Sequence, residues 1–188
     1  MRLYLIRHGK PAAVWGADEE DPGLDETGRR QAQAVAERLL ALPVAERPDR
    51  VISSPLRRCR ETAQPLADAL GVELEIDPAV GEIPTPGALS TAERPEWLRG
   101  AFGGGWSQIQ GDIDYDAWRR GVAAAVARRG GAAVFSHFVA INAVASTIAA
   151  EDRVILFRPD HTSVTTLDVE AGRLSLVTLG GEAVTGVL

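Results

Sequence analysis

The chain of 188 residues has a single cysteine, Cys59, so no disulfide can form within it, and it suits a reducing compartment. Arginines surround Cys59 in sequence and it falls on an apolar helical stripe, so a buried structural thiol is expected rather than a nucleophile. Histidine is nearly as scarce: His8, His137 and His161 are the only three. Bases are outnumbered, with 20 Lys and Arg against 26 Asp and Glu, and the net charge of −6 lacks the footprint of a general nucleic-acid or acidic-membrane binder. No apolar run approaches the ~20 residues of a membrane span. The first run, Leu3 to Ile6, ends at once in Arg7-His8 and is no secretory leader, so a cytoplasmic protein is expected. Repeats, low-complexity tracts and linkers are also missing, which leaves residues 1–188 as one domain. The 45% hydrophobic content supplies that domain with an ordinary core.

The periodicity of the chain alternates between strand and helix. Leu3 to Ile6 is an unbroken apolar run, followed by Arg7-His8 and closed by Gly9, the pattern of a strand buried on both faces. Residues 10–26 read as a loop. From about Thr27, Ala32, Val35, Ala36, Leu39 and Leu40 recur at helical spacing until Pro43 and Pro48. Val51-Ile52-Ser53 is a short strand, and Ser54-Pro55 predicts a helix start, with Leu56, Cys59, Ala63, Leu66, Ala67 and Leu70 inward, Pro65 inside and Gly71 closing it. Residues 72–76 alternate as a third strand. Prolines and glycines in 77–113 exclude a long element and point to a flap or lid at about 84–113, with Trp97, Phe102 and Trp106 as its apolar mass. A helix over about 114–129, a strand at 132–135, a small-residue helix at 139–150, a strand or extended piece at 154–157 and a hairpin over 163–179 complete the chain. The expected architecture is a three-layer α/β/α sandwich with a mostly parallel central sheet.

In such sheets, ligands bind outside the carboxyl ends of the strands, and three strand ends here carry unusual side chains. Arg7-His8 follows the first, Arg57, Arg58 and Arg60 the second, and His137 the fourth. Cations in the first helical turn oppose the helix dipole, so the arginine cluster makes sense where a phosphate-like anion lies before that turn. Solvated arginines, with Arg57 paired to Glu61, are the plainer alternative. A histidine flanked by guanidinium groups can attack phosphorus and hold the phosphoryl group covalently, while arginines and a second histidine stabilise its oxygens. Such transfer needs an acid for the leaving group, and Glu82, in Val80-Gly81-Glu82-Ile83 after the third strand, is the candidate.

Leu5-Ile6-Arg7-His8-Gly9, Ser54-Pro55-Leu56-Arg57-Arg58-Cys59-Arg60-Glu61-Thr62-Ala63 and Ser136-His137, with Leu24-Asp25-Glu26-Thr27-Gly28 before the first helix, resemble the signature of the histidine phosphatase, or phosphoglycerate mutase-like, superfamily. The resemblance implies that His8 is the phosphorylated nucleophile, that Arg7, Arg58 and His137 bind the phosphoryl group, and that Glu82 is the proton donor. It implies a metal-independent enzyme without cofactor, acting on a small phosphorylated substrate. The choice of Arg58 comes from the resemblance, since the helical wheel places Arg60 nearer the buried stripe. Two departures mark candidate specificity residues. Lys10-Pro11 replaces the glutamate and hydroxyl residue often found after Arg-His-Gly, and Phe138 stands where glycine usually follows the second histidine. His161 is a further candidate at the pocket rim. The short, glycine-rich flap favours hydrolysis over the enclosed chemistry of a mutase. The rival readings are a mutase, a non-catalytic phospholigand binder, and a zinc site on the three histidines, which Arg7 and Arg58 would oppose by repulsion.

Overall fold

Leu3 and Leu5 pack on one side of the first strand, while Tyr4 and Ile6 pack on the other, and this alternation builds two cores instead of one. The computed structural model describes residues 1–13 and 21–183. Residues 14–20 of the expected 10–26 loop lie outside that description. The strands are β1 (Arg2–Arg7), β2 (Arg50–Ser53), β3 (Leu74–Ile76), β4 (Ala132–Ser136), β5 (Val164–Glu170) and β6 (Arg173–Thr178). The helices are α1 (Glu26–Leu40), α2 (Arg57–Leu70), α3 (Arg94–Phe102), α4 (Tyr115–Ala127) and α5 (Phe138–Ala149). One mixed sheet runs in the order β3-β2-β4-β1-β5-β6. Its first four strands are parallel, and the β5–β6 hairpin adds antiparallel to β1. Val35 and Leu39 of α1 and Ala63 and Leu66 of α2 cover the Tyr4 and Ile6 face. Val122 and Val126 of α4 and Ile141 and Val144 of α5 cover the Leu3 and Leu5 face. This is the three-layer sandwich expected from the sequence.

The helix ends follow local chemistry in most places. Asp25 caps α1 by accepting from the Gly28 amide at 2.7 Å, Asp114 caps α4 through the Ala117 amide at 2.8 Å, and Gly71 ends α2 at φ 67°. The start of α2 differs from the sequence expectation. Leu56 is its N-cap and gives no side-chain bond, while the Asp21 carboxylate, from a remote segment, accepts from the Arg57 amide at 2.8 Å. Ser54 and Pro55 precede the helix, and the Ser54 hydroxyl accepts from the amide of the N-cap residue Leu56 at 3.3 Å while also facing His137. α2 stays helical through Pro65.

Residues 84–113 contain nine-residue α3, whose Pro95 sits in the first turn, where its missing N–H costs nothing. The segment is anchored rather than loose: Trp106 is buried and its indole donates to Ser146 Oγ of α5 at 2.9 Å, and Tyr115 donates to the Pro84 carbonyl at 2.9 Å. Residues 154–157 form no strand. They bend at Val154 and Leu156 and are tied to α5 by Asn142, whose Oδ1 accepts from the amides of Leu156 and Phe157 at 2.8 and 3.2 Å. No helix among the described residues is long and apolar enough to cross a membrane.

Candidate active site

The parallel register decides which side chains meet. Arg7 is level with Ser136, so His8 and His137 leave β1 and β4 side by side, with ring centroids 5.3 Å apart. Ser53 is level with Phe135 and Ile76, which brings the Ser54 turn, the start of α2 and the Glu82 segment to the same edge. Because β5 runs antiparallel to β1, its beginning also lies there, and the turn before it places the His161 ring 5.8 Å from that of His8. The loop after His8 comes close to α1. A Cβ on Gly9 would lie 2.8 Å from the Gly28 carbonyl oxygen, and one on Gly28 would overlap the Lys10 carbonyl, so both positions need glycine for close approach.

His8 is buried and held in one tautomer. Its Nδ1 lies 2.8 Å from the Gly9 carbonyl oxygen, which can only accept, so Nδ1 carries the proton and Nε2 keeps its lone pair. Thr62 fixes the same loop, accepting from the Gly9 amide at 2.9 Å and donating to the Arg58 carbonyl at 2.6 Å. Arg58 joins the two strand-end imidazoles: Nε donates to His8 Nε2 at 3.3 Å, and Nη2 lies 3.3 Å from His137 Nδ1. The other nitrogen of His137, Nε2, lies 2.8 Å from Ser54 Oγ and 3.4 Å from the Cys59 sulfur. Glu82 Oε2 completes the cluster 3.6 Å from Arg58 Nη2 and 3.4 Å from His137 Nδ1.

Arg7 lies over the Phe138 ring. Its Nη1 donates to the Pro159 carbonyl at 2.9 Å, its Cζ stands 5.2 Å from the centre of the Phe138 ring, and its buried Nε has no hydrogen-bond partner among the described residues. Phe102 of α3 packs on the same Phe138 ring at 5.6 Å, so an aromatic pair links the 84–113 segment to the Arg7 guanidinium.

Burial and positive neighbours set the protonation states. His8 is pushed well below the usual imidazole range by burial, then by His137, Arg58 and Arg7, so it is neutral at neutral pH. His137 is shifted the same way by burial, Arg58 and Arg7. Burial raises the Glu82 carboxyl, with Arg58 opposing, and so favours its protonated form. Arg7 is lowered by burial to about 10 and remains a cation. Cys59 is fully buried, and burial pushes its thiol up, which removes thiolate chemistry at neutral pH.

All five residues expected to do chemistry, Arg7, His8, Arg58, Glu82 and His137, come together at this edge. The rest of the arginine cluster does not: Arg60 is exposed, and Arg57 is exposed and pairs with Glu61 at 2.7 Å. Lys10 is at the rim, but its ammonium is 3.0 Å from the Asp25 carboxylate and is no unpaired cation. Ser54, Thr62 and Asp160 belong to the site's support without having been singled out for it. The polar residues on the buried face of α2 were the available signal for Thr62. A cavity of about 320 Å³ lies elsewhere, in the 84–113 segment between Trp97, Gln108 and Ile109, and none of the five residues lines it.

Comparison with known proteins finds the same fold elsewhere. The chain superposes on the mycobacterial glucosyl-3-phosphoglycerate phosphatase with a TM-score of 0.73 at 21% identity, covering 97% of this chain and 99% of that one. It superposes equally on the phosphoserine phosphatase of Entamoeba histolytica, solved with 3-phosphoglyceric acid, with a TM-score of 0.73 at 21% identity over 96% of both chains. At that identity the likeness is one of fold. An Erwinia tasmaniensis protein described as "Probable phosphoglycerate mutase GpmB" is 35% identical over 88 residues, which are 44% of this chain and only 38% of that relative's length. The family profile of the histidine phosphatase superfamily (branch 1) matches residues 3–181, nearly the whole chain, and the protein belongs to that superfamily.

Proposed function

We propose that the protein is a phosphomonoester hydrolase that works through a phosphohistidine on His8. The observation that carries the reading is the pairing of a neutral, tautomer-fixed His8 with the Arg58 guanidinium that also reaches His137. The His8 Nε2 lone pair attacks phosphorus, a P–N bond forms and the ester P–O bond breaks. Arg58, Arg7 through its unpartnered Nε, and His137 meet the charge on the equatorial oxygens. Protonated Glu82 gives its proton to the departing alkoxide. In the second step its carboxylate takes a proton from water, which attacks phosphorus, breaks the P–N bond and releases inorganic phosphate. His8 returns neutral, with Nδ1 still bonded to Gly9.

Residues 84–113 act in this reading as a flap, coupled to the phosphate pocket through Phe102, Phe138 and Arg7. The guanidinium between His8 and His137 supports metal-independent chemistry, since a divalent cation there would meet a fixed positive charge. The test is release of phosphate from p-nitrophenyl phosphate in EDTA. Wild type should turn over, His8→Ala should not, and Glu82→Gln should be slowed more on alkyl than on aryl esters, whose leaving groups need less protonation. The mutase descriptions of the relatives make phosphoryl relocation the second reading. It would be favoured by conversion of 3-phosphoglycerate to 2-phosphoglycerate faster than phosphate release.

A further inference from the structure

A single amide group separates the His8 ring from α1. The Gly9 carbonyl, which accepts from His8 Nδ1 at 2.8 Å, and the Lys10 N–H belong to the same peptide unit. That unit is trans, so its two polar ends point in opposite directions. At the far end, the Lys10 N–H donates to Gln31 Oε1 at 2.9 Å. His8, the 9–10 peptide and Gln31 therefore form one run of hydrogen bonds. Bonds at the two ends of an amide polarise each other, so an acceptor on the N–H makes the carbonyl a stronger acceptor in turn.

The surrounding loop holds this geometry from both sides. The Gly9 amide donates to Thr62 of α2 at 2.9 Å. From the start of α1, the Asp25 amide donates to the Lys10 carbonyl at 3.0 Å, and the Ala12 amide donates to the Gly23 carbonyl at 2.8 Å. Gly28 lies so close that a Cβ on it would overlap the Lys10 carbonyl oxygen, and Gln31, three residues on, shares that side of α1. Gln31 is half-buried, and its side chain makes no other hydrogen bond among the described residues.

We propose that Gln31 is a positioning residue for phosphoryl transfer: through the 9–10 peptide it orients and strengthens the carbonyl that holds the His8 Nδ1 proton. The inference rests on the hydrolase reading for the step at which this matters. There Nδ1 keeps its proton while Nε2 bonds to phosphorus, so the phosphorylated ring is cationic and the Gly9 oxygen meets that charge. Arg7, Arg58 and His137 bind the phosphoryl group in that reading and make no hydrogen bond with Gln31, so the effect falls on the transfer step and not on phosphate affinity.

The test begins with Gln31→Met, which removes the acceptor at near-equal size and helix propensity. Lys10 is exposed, so its freed amide turns to water and the fold stands. At saturating p-nitrophenyl phosphate, the rate of p-nitrophenol release in the first turnover should fall about 5-fold, while the Kd for inorganic phosphate stays within about 2-fold. Gln31→Glu, which keeps an oxygen acceptor on the same stem, should restore the rate. NMR of the free protein reads the bond itself: the His8 Nδ1 proton should move upfield in Gln31→Met and back in Gln31→Glu. Gln33→Met, on the exposed face of the same helix, should leave it in place. An unmoved Nδ1 proton in Gln31→Met would overturn the proposal whether or not the protein turns over. An equal shift in Gln33→Met, a loss confined to phosphate affinity, or an equal loss in Gln31→Glu would overturn it too. A shift confined to Gln31→Met in a protein that hydrolyses no ester would uphold the Gln31 contact and overturn hydrolysis.

Discussion

His8 stands between two imidazoles that the fold treats differently. His137, on the inner side, leaves a parallel strand, is fully buried, and has neighbours at both ring nitrogens, with Ser54 at one and Arg58 and Glu82 at the other. His161, on the outer side, precedes an antiparallel strand, is partly exposed and has only the Asp160 carboxylate near its ring, 3.9 Å from Nδ1, among the described residues. The inner flank spends burial on fixing charges and tautomers, which is what stabilising a transferring phosphoryl group requires. The outer flank leaves hydrogen-bonding capacity unfilled and charges paired at the rim. In the proposed function, chemistry is confined to the inner wall, and His161 marks an outer wall that takes no part in it.

The sharpest break in that division comes at its centre. His8→Ala should lower kcat by ~10⁴-fold or more on any ester, because the proposed mechanism makes His8 the nucleophile. On the inner wall, Arg58→Ala should cost ~10²–10³-fold in kcat. It should also raise the titration points of both His8 and His137, since Arg58 depresses each, and NMR titration of the imidazoles reads this directly. Phe138→Leu should act next, by loosening the Arg7 guanidinium that the ring covers. Losing a desolvated cation–π contact of ~2 kcal/mol corresponds to up to about 30-fold, expressed mainly in KM for phosphate esters.

Both walls also appear in the pH dependence of stability. All three imidazoles titrate in the folded chain below the 6.5 of a free histidine, about 4 for His161. As the pH falls through 6.5, the unfolded chain takes up protons that the folded chain refuses, so stability falls from there down to the folded values. The slope reaches about 1.4 kcal/mol per pH unit for each histidine. Urea midpoints between pH 7 and 4.5 should show this decline, and His161→Gln should flatten it. The smallest effect belongs to Arg60→Ala, which should leave activity within about 2-fold and stability within about 0.5 kcal/mol, in contrast to Arg58 two residues away.

That pair of arginines shows where the sequence was legible. The helical wheel, centred on Leu56, Cys59, Ala63 and Leu66, pointed to Arg60, and family resemblance alone pointed to Arg58. The structure buries Arg58 because Thr62, one turn on, belongs to the inward face, and hydrophobicity does not mark a threonine that works through its hydroxyl. The strands and the helices around them were readable because periodicity reports burial. The start of α2 was not, because its capping carboxylate, Asp21, comes from 36 residues away. α3 was hidden by prolines and glycines, although Pro95 in a first turn starts a helix as readily as it breaks one. His161 could be placed only once the partner of β5 was known, and pairing order is a property of the whole sheet.

The most direct test of the account is a rapid-quench reaction with p-nitrophenyl phosphate, followed by peptide mass spectrometry under alkaline conditions. The account predicts an acid-labile phosphate on the peptide containing His8, formed and discharged at rates compatible with turnover, and absent from His8→Ala. Steady turnover with no phosphate on His8, or a phosphate found on His137 or His161 instead, would contradict it.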